Sequence, residues 1–442
     1  MSTSTLDTTQ EKTGLGNYFV ANYPPFAAWK PAHLPAAMTA LNSPPDPATP
    51  LGLYLHIPFC RKRCKFCYFR VYTDKNARNV ETYLDALVKE VELYSKLAIV
   101  GNRSLHFVYF GGGTPSYLSA AQLRDLFERL QAIIPWNKAD EVTFECEPGT
   151  LQQHKLEALK ELGVTRLSLG IENFDDQILE ANGRAHLSAE IFRAYQWARD
   201  LKFDQINIDL IAGMVGETWN NWRDCIRKTI DLDPDSVTVY QMELPFNTVF
   251  SNELKMADQD HPAHFVVADW PTKRAWVDYA FNELAEADYQ SSSAYTVVKG
   301  KGRFVYRDSL WHGADMFGTG VASFGHIHGV HVQNVDGWDQ YLAMLDRGEL
   351  PLGRALPVTE RQKLIREMIL QLKTGRLQSD YFRGKFGVNI LDDFAPGFQE
   401  LARQGKILLS NGNAELTREG LLQVDRLLPA FFEPEYRGGR YT

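Results

Sequence analysis

The 442-residue chain is long enough for one large domain plus one or two small ones, and its 44% hydrophobic and 23% charged residues are ordinary for a globular protein. A formal charge of −8 argues against a nucleic-acid surface, and no run of about 18 apolar residues marks a membrane span. The opening MSTSTLDTTQEKTGLG lacks the basic start and apolar core of a secretory signal, and three of the five cysteines cluster tightly, which fits a metal site in a reducing, cytoplasmic compartment rather than a disulfide framework.

Residues 1–50 combine a polar leader, the aromatic and proline-rich stretch NYFVANYPPFAAWKP and the loop NSPPDPATP. Tyr18, Phe19, Tyr23, Phe26 and Trp29 are too aromatic for a disordered tag. The segment either packs against a neighbouring domain or closes over an active site. From 51 to about 245, LGLYLHI, SLHFVYFGG, EVTFECEP, RLSLGIE, QINIDLIAG and SVTVYQMEL read as buried strands. Between them, VETYLDALVKEVELYSKL, AAQLRDLFERLQAII and HKLEALKELG carry apolar residues at the three- and four-residue spacing of amphipathic helices. The alternation predicts βαβ units and a parallel sheet: an α/β fold, with six strands making a partial (β/α)6 barrel rather than a closed eight-unit one. Chemistry in such folds sits at the carboxyl ends of the strands, so the motifs below share one rim.

The core and its extension, residues 51–345, continue through the helix AWVDYAFNELAEADY and the segment HGADMFGTGVASFGHIHG. Residues 346–442 are expected to form a small helical, winged-helix-like domain. TERQKLIREMILQLKTGRL is helical, DYFRGKFGVNI leads into another helix, and KILLSNGNAELT reads as a hairpin with Asn-Gly at its turn. The acidic balance favours a structural or substrate-covering role for this domain over DNA binding.

The decisive motif is HIPFCRKRCKFCYF, His56 to Phe69. Cys60, Cys64 and Cys67, spaced C-x3-C-x2-C, can ligate three irons of a [4Fe-4S] cubane. The fourth iron keeps an open position, as catalytic zinc sites do. S-adenosylmethionine (SAM) can chelate such a position through its amino and carboxylate groups. An electron from the cluster then breaks a carbon–sulfur bond to give a 5′-deoxyadenosyl radical. A zinc site would want a fourth Cys or His at finger-like spacing, and the nearby His56 belongs to a buried strand. Cys146 and Cys225, without partners nearby in sequence, read as packing residues.

FGGGTP, Phe110 to Pro115, follows the second strand; its glycines permit close backbone approach and its carbonyls can accept from the SAM ammonium. Glu145 in FECEP, Glu172 in LGIEN, Arg184 in NGRAH and Asp209 in INIDLIAG follow at successive strand ends. A carboxylate on a ribose diol, an acid near the ammonium and an arginine on the SAM carboxylate are the natural assignments. Acids gathered in this way would repel one another without a cationic ligand.

Together the cluster motif, FGGGTP, FECEP, LGIENF, NGRAH, DLIAGMVGET and the C-terminal LKTGR…FGV segment resemble the oxygen-independent coproporphyrinogen III oxidase family of radical SAM proteins, from Tyr18 onward. The resemblance implies a partial (β/α)6 barrel with an added helical C-terminal domain. It implies that Tyr54 and Phe66 lie near the cluster-bound SAM, and that Gly112, Gly113 and Thr114 hold its amino group. Glu145, Glu172, Arg184 and Asp209 would surround the rest, with Gly318 and Gly320 in a late loop near the nucleoside. It also implies a small-molecule substrate, an electron donor such as flavodoxin or ferredoxin, and room for a second SAM.

Within that family, decarboxylating members carry a cysteine where this chain has Phe69, and typically Gln where it has Glu172. The aromatic leader without the extra cysteine resembles methyltransferase-type members most. Radical methyl or methylene transfer to an unsaturated or aromatic carbon is therefore the first expectation. Oxidative decarboxylation of coproporphyrinogen III is the alternative, with Arg61, Lys62, Arg63, Lys65 and Arg70 as candidates to hold propionates, though solvent-exposed charge is their plainer reading. A haem chaperone is the third. His326, His328 and His331 in GHIHGVHVQN would share one strand face, and polar alternation on an exposed strand accounts for them more simply.

Overall fold

A computed structural model describes residues 11–257, 263–410 and 412–438. The six apolar runs form six parallel strands: β1 (Leu51–Ile57), β2 (Leu105–Gly112), β3 (Glu141–Cys146), β4 (Arg166–Glu172), β5 (Gln205–Ala212) and β6 (Ser236–Gln241). They are followed by the short β7 (Gln290–Ser291) and β8 (Thr296–Val298), then β9 (Asp315–Thr319), β10 (Phe324–Ile327), β11 (Val330–Asn334) and β12 (Leu352–Pro357). One sheet takes them in the order β12-β11-β10-β9-β1-β2-β3-β4-β5-β6-β8-β7. β9 runs parallel to β1, whereas β10 to β12 and β7 to β8 add antiparallel margins. The result is the expected α/β fold with a partial barrel, open between its two margins.

The strands are apolar on both faces because helices cover one and the barrel interior the other. Leu53, Leu55, Phe110, Phe144, Leu167 and Ile208 are at most 1% exposed and share one core with the helix Ala77–Ser95. The helix Ala120–Ile133 starts on a reciprocal cap, with Ser119 accepting from Gln122 N–H. Ser119→Ala is expected to cost about 1 kcal/mol, read as a lower urea midpoint with an unchanged slope.

The domain boundary expected at 346 falls later. β12 pairs along β11, with His331 opposite Leu356 and Val332 opposite Ala355, so residues up to Pro357 stay with the large sheet. LGRALP lacks the apolar run that marked the other strands, which is why it went unread. The C-terminal unit opens with the helix Glu360–Leu372 and has its own core around Phe382, Phe398, Leu401, Leu428 and Phe431. Its small sheet, β13 (Arg376–Gln378), β14 (Ile407–Ser410) and β15 (Asn413–Leu416), contains the expected hairpin, whose turn residue Asn411 lies outside the described residues.

The N-terminal extension both packs and covers. Tyr18 meets Trp270 edge-on at 4.7 Å, Tyr23 meets Phe432 at 4.9 Å, and Trp29 stacks on His331 at 4.9 Å. Val20 N–H donates to Asp425 at 2.8 Å, and Lys373 Nζ donates to the Val20 carbonyl at 2.6 Å. Tyr18, Phe19, Asn22 and Phe26 then form part of the wall of the central cavity. Among the described residues no helix is long and apolar enough to cross a membrane.

Candidate active site

A cavity of about 1190 Å³ lies at the carboxyl ends of β1 to β6. The twelve candidates from the cysteine loop and the strand ends all line it: Tyr54, Cys60, Cys64, Phe66, Cys67, Gly112, Gly113, Thr114, Glu145, Glu172, Arg184 and Asp209. Gly318 and Gly320, expected near the nucleoside, are not part of that lining: Gly318 is closed over by the Phe324 backbone, and Gly320 stands against Tyr83 and the His56 carbonyl.

The cysteine loop after β1 is braced by its backbone. Cys60 N–H donates to the Tyr72 carbonyl at 3.0 Å, Tyr72 N–H returns to Pro58 at 2.7 Å, and Lys65 N–H donates to Asn182 at 3.0 Å. The basic residues around it are mostly engaged. Arg61 donates to Glu147 at 3.3 Å and to the Ala185 carbonyl at 2.8 Å, Arg63 to the Cys67 carbonyl at 3.2 Å, and Arg70 to the Asp336 carbonyl at 2.9 Å. Arg61, Arg63 and Arg70 thus brace the loop, while they and Lys62 remain exposed, in keeping with the plainer reading of the sequence.

The glycines after β2 serve that loop too. Gly112 has φ 109°, and a Cβ there would lie 2.3 Å from His56 Nδ1. A Cβ at Gly113 would lie 2.8 Å from the Ile57 carbonyl oxygen. Gly113 N–H donates to Ile57 and Thr114 N–H to Phe59, both at 2.9 Å. The close approach expected for a ligand is therefore already demanded by the cysteine loop.

Two donors reach the sulfurs: Thr114 Oγ1 to Cys60 Sγ at 3.3 Å and Arg184 Nη1 to Cys64 Sγ at 3.2 Å. Burial pushes the Cys60 thiol up to about 11 and the Cys67 thiol to about 12. Thiolates in such surroundings need positive counter-charge, which iron supplies, and hydrogen bonds to sulfur are among the groups that set a cluster's potential. Among the described residues no three His, Cys, Asp or Glu side chains converge as a single-ion site would. A cubane does not ask for that, because each thiolate binds a different iron. The three-thiol loop fits the cluster.

The acids form the opposite wall. Glu145 accepts from Tyr109 OH at 2.7 Å and from Gly112 N–H at 3.1 Å, and burial pushes its pKa up to about 7. Asp209 accepts from Ser168 Oγ at 2.8 Å and Asn207 Nδ2 at 2.9 Å, and burial raises it as well. Glu172 has the left-handed φ of 67° and sits where the β4–β5 register slips. A non-glycine residue in that region is strained, and such strain gathers at functional sites. Its Oε1 lies 3.6 Å from Arg184 Nη1, and burial pushes its pKa to about 7. Arg184 also donates from Nη2 to the Gly170 carbonyl at 2.5 Å, while its buried Nε has no partner among the described residues. The donor set suits a ligand with both a carboxylate and cationic groups.

Arg166 went unremarked in the sequence. It is 1% exposed, lies 4.1 Å from the Phe304 ring, and its Nε and Nη1 bond to nothing among the described residues. Its charge lowers both Glu145 and Asp209, answering part of the repulsion between the acids. A charged residue opening the otherwise apolar run RLSLGIE was the available signal. Cys146 and Cys225 are buried, and burial raises both thiols, as packing residues require.

The histidine reading needs correction. His328 and Gly329 form a two-residue turn, at φ 48° and 73°, between β10 and β11. His326 and His331 therefore lie on two strands, directly opposite one another, and both are buried. Only His328 is exposed.

The profile of the Radical SAM superfamily matches residues 54–229, which include the three cysteines, FGGGTP and all four charged candidates. The haem chaperone HemW of Bacillus subtilis is 30% identical over 387 residues, covering 86% of this chain and 98% of that protein. This chain belongs to the coproporphyrinogen III oxidase-like family of radical SAM enzymes. The oxygen-independent coproporphyrinogen III oxidase of Synechocystis is 26% identical over 97% of this chain and 96% of its own length. The solved coproporphyrinogen III oxidase of Escherichia coli superposes with a TM-score of 0.80 at 24% identity, covering 94% of this chain and 96% of that one, which establishes the shared fold. As a radical SAM enzyme, this family member uses a [4Fe-4S] cluster and SAM. Methyl transfer, the first expectation from the sequence, has no counterpart among these relatives.

Proposed function

We propose that this radical SAM enzyme acts on a porphyrin-type tetrapyrrole, and that its first reaction class is oxidation rather than methyl transfer. The cavity carries the reading. At about 1190 Å³ it exceeds the roughly 300–1,000 Å³ typical of a small-ligand pocket, leaving room for a large substrate beside SAM. Aromatic rings and the guanidinium groups of Arg274, Arg354, Arg366 and Arg426 share its wall, which suits a large apolar ring bearing carboxylates. The named relatives, an oxidase of coproporphyrinogen III and a haem chaperone, share that ligand class.

Cys60, Cys64 and Cys67 would hold the cluster. When bound, cluster and SAM supply one-electron cleavage of SAM to a carbon-centred radical. The chain does the rest. Tyr54 and Phe66 would wall the SAM site, Gly112, Gly113 and Thr114 would border its amino group, and Arg184 would face its carboxylate. Glu145, Glu172 and Asp209 would balance its sulfonium and ammonium groups. The N-terminal segment shields the cavity from water.

The acids make a testable demand. In the ligand-free protein Glu145 and Glu172 are held near 7 by burial, with Asp209 raised beside them. A cationic ligand lowers these pKa values, so SAM binding releases protons near neutrality and tightens from about pH 6 to about pH 8. Calorimetry in buffers of different ionisation enthalpy measures the release, and a flat affinity with no proton release would contradict the assignment.

Methyl transfer stays as a second reading because Glu172 supplies one more carboxylate for a second sulfonium. The deciding experiment is anaerobic reconstitution with SAM, a reductant, and either coproporphyrinogen III or haem, followed by mass analysis. Substrate-dependent 5′-deoxyadenosine alone supports oxidation; S-adenosylhomocysteine alongside it supports methyl transfer. Deoxyadenosine formation indifferent to both tetrapyrroles would sink the substrate assignment.

A further inference from the structure

The hairpin of β10 and β11 carries two buried histidines that the radical machinery does not use. His331 Nε2 lies 2.9 Å from the Tyr23 carbonyl oxygen. A carbonyl can only accept, so the proton of His331 is on Nε2 and its Nδ1 offers a lone pair. Two groups converge on that lone pair, Asn22 Nδ2 at 3.4 Å and His326 Nδ1 at 2.9 Å. The orientation of Asn22 is set independently, because its Oδ1 accepts from Arg366 Nε at 2.7 Å and from Tyr23 N–H at 2.9 Å. His326 must therefore donate from Nδ1. Its Nε2 is left as a bare lone pair with no partner among the described residues, on a side chain that lines the cavity.

Burial, aided by the Arg366 charge, holds His326 far below its ordinary pKa and His331 at about 3, so both rings are neutral. A neutral imidazole whose other N–H is held by a fixed acceptor is how proteins present histidine to a metal. The neighbouring cavity wall adds the apolar side chains of Phe26, Trp311, Met316 and Phe324, together with Arg366. Arg366 donates from Nε and Nη1 to the protein, while its Nη2 makes no hydrogen bond among the described residues.

We propose that His326 Nε2 is an axial ligand to the metal of an iron tetrapyrrole held at this end of the cavity, with Arg366 facing one of its carboxylates. His331 is the positioning residue that fixes the His326 tautomer. The proposal rests on the tetrapyrrole reading above and narrows it to iron-bearing rings.

The test compares haemin with metal-free protoporphyrin IX on the full-length, cluster-loaded protein. Tryptophan quenching reports binding of either ring, and haem absorption and EPR spectra report ligation. Haemin should bind with an imidazole-ligated spectrum. His326→Ala should lose that spectrum and bind haemin about 10- to 100-fold more weakly, with metal-free porphyrin unaffected and free imidazole restoring the spectrum. His326→Met, which fills the same space, should replace the imidazole spectrum with a thioether-ligated one. His331→Gln should broaden or shift the imidazole-ligated signal. An unchanged haemin spectrum and affinity in His326→Ala would overturn the ligand while leaving the tetrapyrrole reading intact. Equal weakening for both rings would overturn it too, by making His326 a hydrogen-bond acceptor. Binding of neither ring would remove the tetrapyrrole reading itself.

Discussion

Cys64→Ala is expected to yield a folded chain that holds no intact cluster and forms no deoxyadenosine above background, a loss of at least about 10⁶-fold. The fold should survive because the loop is held by main-chain bonds and by Arg61 and Arg63, not by the thiol. Two remaining thiolates would leave a cubane with two open irons and Arg184 Nη1 without its sulfur acceptor. Iron and sulfide content per chain and the visible absorption read the cluster, mass analysis reads deoxyadenosine, and the thermal unfolding midpoint reads the fold. Cys146→Ala and Cys225→Ala are the controls, since both side chains are buried outside the loop. Full iron content in Cys64→Ala would remove the cluster assignment.

Arg184→Met carries the second largest effect, and its size depends on pH. The side chains of Arg184 and Glu172 are 10% and 12% exposed, and removing one partner of a buried pair costs about 3–5 kcal/mol. Glu172 already has a raised folded-state pKa of about 7. Its unfavourable contribution is absent below the ordinary carboxylate range and grows as pH rises through the folded value. Without Arg184 that value climbs further, so the variant should lose more stability at about pH 8 than at about pH 6. Arg184→Met with Glu172→Gln should recover most of the loss, because the uncompensated charge is gone. Denaturant titrations at the two pH values give the four corners of the cycle. A cost independent of pH, or no recovery in the double variant, would falsify the coupling. Arg184→Lys should restore charge but not the fork that reaches both the Cys64 sulfur and the Gly170 carbonyl.

The barrel was legible because each of its strands is an unbroken apolar run between helical stretches, and a sheet covered on both faces produces that pattern. β12 was not legible, because LGRALP gains its place by pairing with β11 at the margin rather than by its own hydrophobicity. The cysteine loop and strand-end acids could be read from residue type and spacing, since their chemistry is local. Arg166 could not be ranked in that way: its meaning lies in standing beneath Glu145 and Asp209, which the chain reaches from two other strands. The histidines show the reverse error. Counting by twos put His326 and His328 on one face, whereas the His-Gly turn folds the chain back and gives His326 a different partner, His331. Likewise, Gly112 and Gly113 were read as yielding to a ligand, although the His56 ring and the Ile57 carbonyl already require them.

The seat of the N-terminal extension has a consequence for how the protein is made. Val20 bonds to Asp425 across 405 positions, and Tyr23 bonds to Glu433 across 410. At the usual pace of synthesis, the segment that leaves the ribosome early waits about 20–80 s before its binding partner exists. Until then Tyr23, whose ring packs on Phe432 and Tyr436, is exposed aromatic surface, and the chamber above the cysteine loop stands open on that side. Closure therefore belongs to the last stage of folding, after the barrel has formed, which gives iron and sulfide a period of entry before the wall is completed.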